Sequence, residues 1–281
     1  MSILEVAGLR KAYPAFTLRD VSFALEEGKI TGFIGRNGAG KTTTLKAMLG
    51  FVHPDGGQVR FFGMDFAMNQ QKIRQDIGYV AGGISFYPGK RLSVITDVTR
   101  SFYPTWDDGV YRQCLDRFRL DERKNPSQLS EGMKVKYALT LALSHHARLL
   151  LLDEPTSGLD PVSRDELLDV LLALNREGAT ILFSTHITSD LDRVADDILY
   201  IQQGRLKAHA PMRDFTGAYR ALSLTNGEYA GADKGLLIGP KPAKEGWTAL
   251  IHASDAGKTP GRATEADLET VMIHLEKEAE G

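Results

Sequence analysis

The sequence predicts an α/β fold built around a mainly parallel sheet, and three observations carry that expectation. Short apolar strands alternate with amphipathic helical stretches along most of the chain. One compact apolar strand, residues 30–34, runs into the glycine-rich Gly35-Arg36-Asn37-Gly38-Ala39-Gly40, and a helix follows from about Lys41. Two further runs, 149–152 and 181–183, are continuously apolar and too short for helices; strands read that way when helices cover both faces of their sheet.

The elements follow in order. The opening segment, to about Phe23, reads as short strands punctuated by Gly8 and Pro14, an N-terminal β region. The helix near Lys41 carries Leu45, Met48 and Leu49 at helical spacing. From roughly Asp97 to His146 the pattern is helical, with Pro104, Gly109 and Pro126 as breaks, and the histidine pair His145-His146 reads as ordinary surface or helix residues. An amphipathic helix covers Ser163 to Leu174 and closes near Gly178. After about Pro211 glycine and proline become frequent, 236–238 and 248–251 read as short strands, and a last helix from Thr264 buries Leu268, Val271, Met272 and Leu275. The expected organisation is a main domain over 1–210, with a helical subdomain inserted at about 83–147, and a small C-terminal appendage over 211–281.

Composition narrows the function classes. The 281 residues are 42% hydrophobic and 25% charged, enough for one large domain with a substantial core. A formal net charge of −2 lacks the basic excess that dominates nucleic-acid affinity, so no direct nucleic-acid partner is expected. The lone Cys114 excludes an intramolecular disulfide and a cysteine-only zinc site. Neither a secretory signal nor an apolar run near the bilayer-spanning length is present, so the expectation is a soluble, cytoplasmic chain whose membrane role would need another chain.

Gly35 to Thr42 fits G-x-x-x-x-G-K-[ST] at every fixed position. The glycines let successive N–H groups turn inward around phosphate oxygens, Lys41 neutralises the β- and γ-phosphates, and Thr42 offers a hydroxyl to Mg²⁺. The following helix adds its positive end to the same anion. Thr43 continues the loop onto that helix. Asp153, ending the 149–152 strand, suits a water-mediated magnesium contact, and Glu154 suits a general base for an attacking water. The expected cofactors are ATP and Mg²⁺.

With these pieces in place, the chain resembles the ABC ATPases. Leu129-Ser130-Glu131-Gly132-Met133 is similar to the family signature LSGGQ, in a helix opening at about Met133; residues 153–160, Asp-Glu-Pro-Thr-Ser-Gly-Leu-Asp, resemble its Walker B and D-loop run; and Ser184-Thr185-His186 resembles the switch-histidine motif. Tyr13 sits where the family carries an aromatic that stacks on adenine. The resemblance covers about residues 2 to 210 and implies a P-loop NTPase fold of the ABC type. It further implies a homodimer or heterodimer with a second ABC ATPase chain, sandwiching two ATPs. In it, Ser130 and Gly132 reach the partner's γ-phosphate, His186 contacts the γ-phosphate, and Asp160 communicates across the interface. A separate transmembrane permease would hold the complex peripherally at the inner membrane face. The closest look is to bacterial exporter ATPases of the YtrB type, often linked to antibiotic or cell-envelope stress.

Departures accompany the matches. Gly82 follows Ile77-Gly78-Tyr79-Val80-Ala81 where the family usually has a glutamine, and the signature has Glu131 and Met133 in place of Gly and Gln. The aromatic segments 85–88 and 102–106 suit either a permease-docking surface or the core of the helical subdomain. Two rival functions stand beside transport: a soluble ABC ATPase acting on nucleic acid or ribosomes, and a weakly hydrolysing regulatory ATP-binding module.

Overall fold

A computed structural model describes residues 2–81 and 87–279; Gly82, Ser85 and Phe86 lie outside the described residues. The chain opens with β1 (Ser2–Tyr13) and β2 (Phe16–Glu26), followed by β3 (Ile30–Ile34), α1 (Lys41–Met48), β4 (Gly56–Phe61) and β5 (Met64–Asp65). Next come α2 (Phe66–Gln75), β6 (Ile77–Ala81) and three helices: α3 (Leu92–Arg100), α4 (Asp108–Phe118) and α5 (Glu131–Ser144). The chain continues with β7 (Leu149–Asp153), α6 (Pro161–Arg176), β8 (Thr180–Thr185), α7 (Thr188–Val194), β9 (Asp197–Gln202) and β10 (Arg205–Pro211). The C-terminal part adds α8 (Met212–Gly217), β11 (Tyr219–Leu224), α9 (Asn226–Gly231), β12 (Ile238–Ala243), β13 (Gly246–His252), β14 (Arg262–Glu265) and α10 (Leu268–Glu278).

Three sheets result, in the orders β2-β1-β4-β5, β10-β9-β3-β8-β7-β6 and β12-β13-β11-β14. In the six-stranded sheet all pairings are parallel except β10 with β9. Its register places the site. Ile34 pairs with Thr185, Asp153 with Ser184 and Ala81 with Asp153, so β3, β8, β7 and β6 end together at one edge. Ligands of open parallel sheets bind at such carboxyl ends.

Strand alternation splits the core in two. Ile30, Leu150, Leu152, Ile181 and Phe183 point to the face covered by α5, α6 and α10. Phe33, Leu149, Leu151, Leu182 and Leu199 point to the face covered by α1 and the N-terminal sheet. Every residue of 149–152 is fully buried, as its unbroken apolar run predicts. A small third cluster, including Leu222, Leu224 and Ala249, fills the C-terminal sheet, yet Leu268, Val271 and Met272 of α10 belong to the core of the central sheet. Among the described residues no helix is long and apolar enough to cross a membrane.

Several local expectations are corrected. The opening strands are two long ones; Gly8, at φ 60°, is absorbed as an irregularity of register inside β1. Gly109 lies within the first turn of α4, where the Asp107 carboxylate caps the amides of Gly109 and Val110 at 2.7 and 3.0 Å. Residues 234–236 form a 3₁₀ turn, so the strand starts at Ile238. Thr264 belongs to β14, paired with Ala221, and the last helix starts at Leu268 under an Asp267 cap. His145 is buried and stacks on Tyr103 at 3.8 Å between centroids, while His146 is exposed.

The described aromatic residues of these segments differ in burial. Tyr103 faces His145, and Trp106 packs on the core while its indole donates to Asp108 at 3.0 Å. Tyr87 and Phe102 point outward, 68% and 67% exposed, and with Val94 and Val98 they line a groove of about 540 Å³.

Candidate functional site

The phosphate-loop segment joins β3 to α1 at the sheet edge. Gly38 and Gly40 have φ of 82° and 119°, a region that a side chain strains to enter. A Cβ on Gly40 would lie 2.9 Å from the Phe16 ring, and one on Gly35 only 2.3 Å from the Ile201 carbonyl oxygen. Both glycines are therefore required by close approach. Gly40 ends the loop, its carbonyl accepting from the amide and hydroxyl of Thr44 at 2.9 and 2.8 Å. Arg36, Asn37 and Gly38 are exposed, Ala39, Gly40 and Lys41 buried, and Thr42 and Thr43 half-buried.

Lys41 is the pivot. Its Nζ, on a side chain only 5% exposed, donates to the Gly35 carbonyl at 2.7 Å and pairs with Glu154 Oε1 at 3.1 Å. The other Glu154 oxygen meets His186 Nδ1 at 2.8 Å. Glu154 itself has φ 52°. That left-handed conformation is held because its amide donates to both the carbonyl and the hydroxyl of Ser184, at 3.0 and 3.1 Å.

Asp153 is buried and well supplied with donors. The hydroxyls of Thr42 and Ser184 reach its Oδ1 at 3.0 and 2.8 Å. Tyr79 lies near the same carboxylate; burial, reinforced by the Asp153 charge, pushes the Tyr79 phenol up to about 12, so it stays protonated at neutral pH. The donor chemistry fits magnesium. A threonine hydroxyl and a carboxylate, both hard oxygens, converge, and no cluster of three or more metal-ligating acidic, histidine or cysteine side chains exists among the described residues. Magnesium is bound that way, by one or two carboxylates with waters and phosphates completing its shell.

The structure thus brings together Gly35 to Thr43, Asp153, Glu154 and His186. Ser130, Gly132 and Asp160 share a different rim, at the starts of α5 and α6. Ser130 is the cap of α5, accepting from the Met133 amide at 3.3 Å, so that helix begins at Glu131 rather than at Met133. A Cβ on Gly132 would lie 3.4 Å from Ser163 of α6. Asp160 caps α6, accepting from the amides of Val162 and Ser163 at 3.0 Å and from the Ser163 hydroxyl at 2.6 Å. The hydroxyl first, and then those amides, hold its carboxyl below the usual range. Tyr13 ends β1, 40% exposed, with Lys11 Nζ 5.7 Å from its ring centroid. Its cross-strand partner Phe16 is the ring that packs on Gly40.

Four contributors escaped the sequence reading. Ser184 was singled out only as part of a motif, and Phe16 carries no motif at all. Gly204 donates its amide to the Ala39 carbonyl at 2.9 Å and accepts from the Arg19 amide at 2.7 Å, stapling the phosphate loop to β2. Asp190, 1% exposed on α7, accepts from the buried Thr156 hydroxyl at 2.7 Å and so ties the loop after Glu154 to the helix after His186. Besides the Ser184-Thr185-His186 motif, the repeated apolar-strand ends are the sequence signal that points toward Ser184.

Comparison with known proteins agrees with this geometry. Residues 18–157 match the family described as ABC transporter. The chain is 31% identical over 206 residues to the ABC transporter ATP-binding protein YtrB of Bacillus subtilis, covering 73% of this chain and 70% of that one. It is 32% identical over 214 residues to the bacitracin transport ATP-binding protein BcrA of Bacillus licheniformis, covering 75% and 70%. A solved ATP-binding subunit of an ABC transporter superposes with a TM-score of 0.69 at 30% identity, over 77% of this chain and 92% of that one. With its phosphate loop, its Asp153-Glu154 strand end and His186 gathered at one sheet edge, this chain belongs to the ABC transporter family, as an ATP-binding ATPase subunit.

Proposed function

We propose that this chain binds Mg-ATP at the β3–α1 loop, dimerises around two such nucleotides and drives a separate membrane permease, as an exporter. The observation that carries the reading is the bridging position of Glu154, 3.1 Å from Lys41 and 2.8 Å from His186, beside the Thr42–Asp153 pair. Lys41 and the inward amides of residues 35–43 bind the phosphates, and Tyr13 flanks the adenine. Thr42 and Asp153 hold magnesium, which when bound neutralises phosphate charge. Glu154 accepts the proton of the attacking water, and His186 orients that carboxylate toward the γ-phosphate.

Ser130 and Gly132 lie with Asp160 on their own rim, which suits them to a nucleotide held by a second copy or a second ABC ATPase chain. The start of α5 suits an anion at that rim, as helix N-termini do. The outward groove of Tyr87, Val94, Val98 and Phe102 suits an amphipathic helix of the permease, which would hold the complex at the inner membrane face. Transport function in the relatives YtrB and BcrA supports this assignment over an action on nucleic acid. The proposed unit boundaries are 1–210 for the ATPase domain, with the helical insertion, and 211–281 for the accessory region.

The test is Glu154→Gln, which keeps the size of the side chain and removes the base. Steady-state hydrolysis is expected to fall by ~10²–10⁴, ATP binding to persist, and an ATP-dependent dimer to accumulate on size-exclusion chromatography. Unchanged turnover would sink the general-base assignment.

A further inference from the structure

Tyr13 ends β1, and the strand is held there from both sides. On one side β2 pairs with it up to the turn, Lys11 opposite Leu18, Ala12 opposite Thr17 and Tyr13 opposite Phe16. On the other side β4 stops short, because its first residue, Gly56, pairs with Arg10. Asp55 takes over from there. Its amide donates to the Arg10 carbonyl at 2.8 Å, its Oδ2 accepts from the Ala12 amide at 2.7 Å, and its Oδ1 accepts from Lys11 Nζ at 2.8 Å. One residue thus engages the three consecutive positions before Tyr13. The Lys11 ammonium first, and then the Ala12 amide, hold the Asp55 carboxyl below the usual carboxylate range. A Cβ on Gly57 would lie 2.5 Å from the Gly8 carbonyl oxygen, so the segment that carries Asp55 is pressed directly onto β1.

That segment leaves the helix of the phosphate loop. α1 opens at Lys41, and past its end the amides of Phe51 and Val52 still donate to the Lys46 carbonyl at 2.9 and 3.2 Å. Asp55 follows shortly after, so its side chain ties the exit of α1 to the residues that lead into Tyr13. An ion pair in which Asp55 is 46% exposed contributes little to stability. What it fixes is position: Lys11 Nζ, held by Asp55, lies over the Tyr13 ring at 5.7 Å from its centroid.

We propose that Asp55 is a positioning residue for the nucleotide base: it locks the end of β1 to the exit of α1, so that Tyr13 presents its ring at a fixed span from the phosphate loop. Lys11 covers one face of that ring, and the base stacks on the other. Asp55 acts through Tyr13 rather than on the nucleotide itself. The inference rests on the reading of Tyr13 as the residue that stacks on adenine.

Calorimetric titration of full-length chains with magnesium and either ADP or inorganic pyrophosphate tests it, in the wild type, Tyr13→Ala, Asp55→Ala and the double variant. ADP keeps hydrolysis and ATP-dependent dimerisation out of the measurement. Tyr13→Ala is expected to weaken ADP roughly tenfold and Asp55→Ala roughly fivefold, while pyrophosphate, which has no base, binds every chain alike. In the Tyr13→Ala background Asp55→Ala is expected to add nothing, since its route to the base is gone. Equal losses of ADP and pyrophosphate affinity in Asp55→Ala would overturn the proposal, because a general loosening of the phosphate loop does that. An Asp55→Ala effect that persists without the Tyr13 ring would overturn it as well. If Tyr13→Ala binds ADP like the wild type, the stacking reading falls and this inference with it. A loss in Tyr13→Ala beside an unaffected Asp55→Ala chain overturns the positioning role alone.

Discussion

Replacing Ser184 with alanine isolates the hydrogen-bond network under the site. Ser184 is fully buried; its hydroxyl donates to Asp153 at 2.8 Å and accepts from the Glu154 amide at 3.1 Å. Among the described residues, the alanine leaves Asp153, itself 6% exposed, with the Thr42 hydroxyl as its side-chain donor. A hydrogen bond to a buried charged group is worth about 1.5–3 kcal/mol. The Glu154 amide adds little, because the Ser184 carbonyl still accepts from it at 3.0 Å. The expected loss is therefore about 2 kcal/mol, or roughly 4–8 °C in Tm for a chain of this size. Calorimetry and urea denaturation measure it, and the urea midpoint should fall without a change in m-value. Turnover should fall as well, since one of two bonds holding the left-handed Glu154 is gone. A Tm unchanged to within about 1 °C, with wild-type turnover, would refute the idea that this hydroxyl supports the carboxylates.

Lys41→Ala removes the ammonium that meets Gly35 and Glu154, and ATP binding itself should weaken; a wild-type affinity by equilibrium titration would contradict the cradle. Gly204→Ala would set a Cβ 2.0 Å from the Thr17 carbonyl oxygen at φ 74°, so a loss of roughly 3 kcal/mol in urea denaturation is expected, together with weaker ATP binding through Ala39. Unaltered stability would show that the β9–β10 turn yields freely. Burial holds the His274 imidazole below its ordinary value, against the opposing pull of the Gly239 carbonyl. The unfolded chain, with an imidazole near roughly 6.5, then binds the extra proton. This part of the stability is complete above that value and is lost as pH falls through the depressed folded one. Burial shifts His145 and His209 the same way, so the acid slope is shared. His274→Gln should make the slope shallower by up to one proton in denaturation midpoints taken between about pH 5 and 8, and an identical slope would remove His274 from the account.

The phosphate loop was legible because its chemistry is local: an apolar strand, glycines free to take positive φ, and a lysine and threonine at fixed offsets all lie within a dozen residues. Helix starts were less legible where a cap and the helix compete for the same residues. Ser130 caps through the Met133 amide, so the last capped residue was read as the first helical one. Thr264 and Asp267 both suit a helix cap. Pairing of Thr264 with Ala221, a partner far along the chain, assigns the first to a strand and leaves Asp267 to cap Thr270 at 2.8 Å. Gly109 was read as a break, but a glycine in a first turn capped by Asp107 costs the helix little.

What sequence could not supply is register. Ser184 reaches Asp153 because β7 and β8 pair in parallel with those residues opposite each other, and a slip of one residue would turn the serine to the other face. The same holds for α10, whose apolar stripe is evident in sequence while its destination is not. Leu268 and Val271 could have closed the small C-terminal sheet; instead they join the core of the central sheet, and this carries Ile273 and Lys277 to the rim of the phosphate loop. The shared core packs α10 of the accessory region onto the sheet whose strands β7 and β8 lead to Asp153 and His186. A substitution that loosens α10 from that core, such as Val271→Ala, is therefore expected to lower the stability of the ATPase domain along with that of the appendage.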